Sequence, residues 1–305
     1  MGMEVSLGDG LGEGGDGLGS SQGGGSALEG TFYDLKQTKN GAPNANAEGG
    51  RVNKDAVVTV LSDFIKTWNP SALNKFYQSP TKLYAGNFCI PACNANYAPF
   101  AYQCQDKVKP AGWVAVYRGR VRAPKSGTFR FVGTGDEVII VRLNRDIVLE
   151  AGYILPGLGK TYTETHIAGK NKGAADFRRF EAGILNGTDK VHKGYEFFPH
   201  PDTPLWNAEL GGLMAGKEFR VTEGQVYPIE VLITEVPGGA FGMALFIQET
   251  THGKSKDYKT LQLFRTNFSQ PDGAELKKLI GSYADRGEIK VPYYDADSLV
   301  WPAVP

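Results

Sequence analysis

The fold class this sequence predicts is mainly β: an antiparallel β-sandwich with a short helical flank on its N-terminal side and a long loop insertion. Three observations predict it. From Trp113 to Tyr153 apolar and polar residues alternate at a period of two, broken only at Ala123-Pro124-Lys125-Ser126-Gly127 and Asn144-Arg145-Asp146, which is how half-buried strands joined by turns read. The same period returns in Lys217 to Val221 and Glu223 to Glu235, and again in Phe241 to Glu249 after the turn Pro237-Gly238-Gly239. Of the 305 residues 41% are apolar and 11% aromatic, enough to fill a packed core.

Taken in order, the chain opens on a tether. Twelve of residues 1–30 are glycine, a composition that cannot offset the entropy of ordering, so residues 1–29 are expected to be a flexible linker and residues 30–305 one domain. Gly10-Leu11-Gly12-Glu13-Gly14-Gly15 matches a dinucleotide fingerprint formally, but no strand precedes it and no helix follows. The Gly-Asp alternation lacks the nine-residue period of calcium-binding β-rolls. Order is expected from Gly30. A helical flank covers 53–77: Asn53-Lys54-Asp55 offers capping groups, Val57, Val60, Leu61, Phe64, Ile65 and Trp68 recur at helical spacing, and Asn69-Pro70 stops the helix before a second short one over Ser71 to Tyr77. Lys82 to Ile90 and Ala98 to Val108 read as extended. The insertion spans 153–216, where the alternation is lost; its Gly159-Lys160-Thr161 is no phosphate loop, because the glycine required five residues earlier is Ile154. A packed tail, 250–305, offers a strand near Leu261 to Phe264, a helix over Ala274 to Ser282, and a docked end at Trp301.

Charge excludes some partners. Thirty-three basic and thirty-three acidic residues cancel, so no global field attracts nucleic acid or an anionic membrane surface. No apolar run approaches the roughly 20 residues that span a bilayer, so membrane association would need an anchor upstream of this chain. Cys89, Cys93 and Cys104 lie within one short segment. One disulfide with a leftover thiol is expected, either as a small Cys89–Cys93 loop or through Cys104, against the alternative of three buried thiols packing as small hydrophobes.

The order Trp113, Tyr117-Arg118-Gly119, Ser126-Gly127-Thr128-Phe129, Asp136-Glu137 and a hydrophobic hairpin resembles the core of the PA14 domain, a β-sandwich of bacterial toxins, glycosidases and adhesins. Residues 217–249 resemble that family's closing hairpin. The resemblance implies binding rather than catalysis. In carbohydrate-binding members two adjacent aspartates joined by a cis peptide chelate Ca²⁺, which in turn holds sugar hydroxyls; carried over, that pair falls on Asp136 and Glu137. Glu137 is one methylene longer than the family's aspartate, and Val138-Ile139 replaces a Gly-Ser, so this stretch is expected to pack rather than coordinate. Asp136, Glu137 and Asn144 are the candidate ligand-binding residues, with Asp136 and Glu137 as candidate Ca²⁺ ligands.

No His-Glu-x-x-His pair is present. Glu164, His166, Asp176, Glu181 and Glu196 offer carboxylates in the insertion, and His166, His192 and His200 read as exposed loop histidines. The expectation is a non-enzymatic, extracytoplasmic binding or adhesion module for carbohydrate, tethered in its natural setting at the periplasm or cell surface. The alternative is a structural or assembly component of a bacterial cell envelope that contacts other proteins.

Overall fold

The computed structural model of the chain describes residues 17–23, 25–152, 154–158, 192–198, 213–267 and 298–305. Chain order runs β1 (Leu28–Thr38), α1 (Lys54–Thr67), β2 (Phe76–Gln78), β3 (Leu83–Ala85), β4 (Cys89–Asn94), α2 (Tyr97–Ala101), β5 (Trp113–Arg122), β6 (Gly127–Asp136), β7 (Val138–Leu143), β8 (Asp146–Gly152), β9 (Glu196–Phe198), β10 (Leu213–Ala215), β11 (Phe219–Val221), β12 (Val226–Glu235), β13 (Ala240–Glu249), β14 (Gln262–Leu263) and β15 (Ala303–Val304). The first sheet has the order β2-β1-β5-β12-β7-β8, with β3 also on β1 and β15 on β5. The second runs β14-β13-β6-β10-β9, with β11 on β6 and β4 on β13. All of these pairings are antiparallel, and the expected mainly β, antiparallel sandwich is what forms.

The two sheets enclose an apolar interior. Along β5, Trp113, Ala115, Tyr117 and Val121 face that interior, while Val114 and Val116 belong to a second cluster on the outer face. Alternation at a period of two therefore sends successive residues into two different cores. Further along β5 the outer face turns polar: Arg118 pairs with Glu230 at 3.1 Å and Arg142 with the same carboxylate at 2.6 Å. What covers Val114 and Val116 is α1. Its Asn53 cap accepts a hydrogen bond from the Ala56 amide, Val57, Val58, Leu61, Phe64 and Ile65 are buried, and Trp68 ends it in a left-handed conformation just ahead of Pro70. A third, smaller cluster of Val132, Leu213, Ala215, Ala244 and Phe246 sits apart from the inter-sheet core.

Several expectations need correction. Ser71 to Tyr77 is not a second α-helix but a 3₁₀ turn, Pro70–Leu73, leading into β2. Ala98 to Val108 is not extended; it holds α2 and a series of turns. The segment 217–249 does not close as a hairpin, because β12 and β13 lie in opposite sheets and the glycine turn carries the chain between them. Periodicity reveals strands but not partners. In the insertion, β9 and β10 extend the second sheet; Ala274 to Ser282 lies outside the described residues. The C-terminal segment is docked as expected, with Trp301 buried edge-on against Phe129.

The linker ends earlier than its composition implies. Leu18 is fully buried, its carbonyl accepts the Tyr117 hydroxyl at 2.7 Å, and the Ser20 amide donates to the Tyr84 carbonyl at 3.1 Å. One apolar side chain and one bridge outweigh the surrounding glycines. Leu18→Ala is expected to cost about 3 kcal/mol, the usual range for a fully buried leucine. A melt that stays within about 2 °C of wild type would show that the segment is only laid on the surface.

The cysteine expectation also fails: all three are free and buried. Between Ile90 and Cys93 strand β4 carries one residue more than the facing stretch of β13, a bulge that turns Cys93 into the inter-sheet core while Cys89 joins the third cluster. Four extended residues also span about 13 Å, roughly twice what a disulfide tolerates. Burial pushes the Cys89 thiol up to about 12 and that of Cys104 up to about 11. Native protein near pH 8 should therefore resist alkylation at Cys89 and Cys104 and gain three labels once unfolded without reductant. Fewer than three labels would reveal a disulfide.

Candidate functional site

Two chain crossings meet at one end of the sandwich. Strand β6 ends at Asp136 in the second sheet, opposite Gly242, and β7 begins at Val138 in the first, so Glu137 alone bridges the sheets. Strand β12 ends at Glu235 before crossing back through Pro237-Gly238-Gly239, and Thr234 pairs with Val138. The Glu137 amide donates to the Thr234 carbonyl at 2.8 Å, the Gly238 amide donates to Glu235 Oε1 at 2.6 Å, and the Asp136–Glu137 peptide is cis. Carboxylate oxygens of Asp136, Glu137 and Glu235 all lie within 4.8 Å of one another, at exposures of 4%, 4% and 0%.

Three buried carboxylates at that spacing repel one another and have lost most of their hydration, a cost that a bound cation would offset. The negative field is felt next door: burial chiefly, then Glu235 and Asp136, raises the Cys93 thiol well above its ordinary value. As donors the three groups are hard oxygens, the set that suits Ca²⁺ or Mg²⁺ and not a thiophilic ion. The residues present thus fit a hard cation. Val138 and Ile139 pack as expected, one under α1 and the other between the sheets.

Asn144 does not join this cluster. It sits with Arg145 at positive φ, 48° and 73°, in the two-residue turn between β7 and β8, and its amide donates to the Pro228 carbonyl at 2.8 Å. Six residues of β7, about 20 Å of strand, separate it from Glu137. Its role is the tight hairpin. Glu235 is the member the sequence reading missed; it looks there like the last residue of an ordinary strand. Of the insertion's candidates, Glu164, His166, Asp176, Glu181 and His200 lie outside the described residues. Glu196 pairs with buried Arg130 at 2.8 Å, and that guanidinium also bonds Gln248 at 2.7 Å and the Ser255 carbonyl at 3.0 Å. His192 is bound to Glu150, which also accepts the Gly157 amide at 2.7 Å. The first arrangement ties the loop at Ser255 to the second sheet, and the second ties loops to β8 at the edge of the first.

No protein-family model matches the chain, and no curated protein is similar to it in sequence. Solved structures similar to it include a PA14 sugar-binding domain from an RTX adhesin, 12% identical, with a TM-score of 0.39 over 80% of this chain and 97% of the other. The A domain of epithelial adhesin 6 from Candida glabrata, in complex with Galb1-3GlcNAc, is 12% identical with a TM-score of 0.35 over 82% and 94%. A β-glucosidase from Kluyveromyces marxianus in complex with glucose is 12% identical with a TM-score of 0.34 over 79% of this chain but 19% of that enzyme. Likeness at this level carries no conclusion about ligand or activity.

The crossing is tight because Gly152 lets it be. At φ 134° a Cβ there would lie 2.2 Å from the Glu137 carbonyl oxygen and 2.4 Å from that of Gly135. Gly152→Ala is therefore expected to cost about 3 kcal/mol or more, from backbone strain and overpacking together. A variant melting like wild type would mean that the crossing yields easily.

Proposed function

We propose that this chain is a non-catalytic, extracytoplasmic binding or adhesion module that holds carbohydrate with the help of a hard cation at Asp136, Glu137 and Glu235. The observation that carries the reading is the convergence of three buried carboxylates on one point where two sheets cross. When bound, such a cation supplies coordination positions that sugar hydroxyls can fill in place of water. The protein's own part is to position the oxygens: the Gly238 amide orients Glu235, and the Thr234 carbonyl fixes the backbone of Glu137. The glycine-rich start of the chain has the composition of a flexible tether, which suits a module carried at a distance from its anchor. Among the described residues no helix is long and apolar enough to cross a membrane.

Thermal melts in EDTA and in excess Ca²⁺ test the reading. Binding to the native state at a hundredfold excess over Kd adds about 2.7 kcal/mol, a rise of several degrees for a chain of this size. Asp136→Asn and Glu235→Gln should each abolish the rise, and a glycan array should lose its signal in EDTA. Identical melts in EDTA, Ca²⁺ and Mg²⁺ would refute the cation site.

A further inference from the structure

At the end of β1 lies a groove of about 770 Å³, walled by that strand end and the residues after it, the segment from Ala47 to Lys54, and the loop preceding β5. Five of its lining residues are cationic, Lys36, Arg51, Lys54, Lys107 and Lys109, and none is acidic. The nearest carboxylates along the chain, Glu48, Asp55 and Asp106, do not line it. Arg51, Lys107 and Lys109 are exposed and make no ion pair with any described residue.

The fold holds these charges in place. Lys36 is buried, and its ammonium is shared among Asp34, the Ala111 carbonyl and the Lys109 carbonyl, the last at 3.3 Å, which uses its three N–H groups. Gln37 bonds the second Asp34 oxygen at 2.6 Å and the Lys107 carbonyl at 2.8 Å. The loop carrying Lys107 and Lys109 is thus pinned through its backbone while their side chains stay available. The opposite wall is fixed by Asn46, which donates to the Leu35 carbonyl at 2.7 Å and accepts the Asn53 amide on its own carbonyl at 2.9 Å. That wall ends in the first turn of α1, whose dipole adds to the positive potential.

We propose that this groove binds an anionic saccharide, a short glycan bearing carboxylates or sulfates. A bare inorganic anion would leave most of the volume empty, and cations on two facing walls suit a ligand with more than one charge. No lining residue is aromatic, so nucleic-acid bases have no stacking platform. Val52, Ala111 and Pro237 provide apolar wall between the charges, matching the C–H faces of sugar rings. Pro237 also places the groove two residues from Glu235, on the turn whose Gly238 amide orients that carboxylate. The choice of a saccharide rests on the carbohydrate reading above, but the groove needs no cation.

Calorimetry on the full chain in EDTA separates the two sites. A heparin tetrasaccharide and a tetragalacturonate are the probes, and maltotetraose is the neutral control. At least one acidic probe should bind, weakening as salt rises from about 50 to about 200 mM, while the neutral sugar does not bind. Which acid binds distinguishes sulfate from carboxylate. Lys107→Glu and Lys109→Glu should each weaken binding about tenfold or more, with melting temperatures unchanged, and Arg120→Glu on the exposed part of β5 should change it less than about twofold. The proposal is overturned if neither acid binds, if maltotetraose binds equally, or if Arg120→Glu matters as much as Lys109→Glu. Loss of the calcium-dependent melting shift with groove binding intact would instead sink the cation reading alone.

Discussion

Glu137 is one residue, and it has to join two sheets. Packed sheets stand about 10 Å apart, whereas two residue steps reach about 7 Å, so the sandwich must close at this corner. Only glycine at 135 and 152 leaves room for the approach. The pinch then dictates what surrounds it: Thr234 must offer its carbonyl to Glu137, β12 must end at the same level, and Glu235 arrives beside Asp136. The acidic cluster is thus a product of topology, two strand ends meeting where the walls touch.

The first sheet is buried on both faces where α1 lies over it and wet where Arg118, Arg142 and Glu230 take over. Charge follows the same division of labour. Anionic groups collect inside the pinch, where water is scarce, and cationic groups other than buried Lys36 collect along the groove, where they remain hydrated. The turn from Val236 to Gly239 runs between these territories.

Strands and the amphipathic helix were legible because burial leaves a periodic trace: the alternation from Trp113 onward and the spacing of Val57, Leu61, Phe64 and Ile65 both report one apolar face. Partnering was not legible, since β12 reads the same whether β13 lies beside it or across the core. That is why the turn after Glu235 passed for a hairpin and Glu235 went unnoticed as a neighbour of Asp136. Asp136 and Glu137 could be found because they adjoin in sequence and match a family pattern; Asn144 lies only seven residues on, which a strand converts into distance. The glycine-rich start misled for the opposite reason, composition averaging over the single leucine that matters.

Strands β1 and β15 occupy the same edge of β5, β1 from Trp113 to Arg118 and β15 at Arg120 and Val121. Both run antiparallel to β5, so Val304 points along the edge toward Leu28 as though one strand had been cut. Loss of either strand would therefore uncover part of the same row of β5 backbone groups, so the first and last strands of the described chain protect one edge between them.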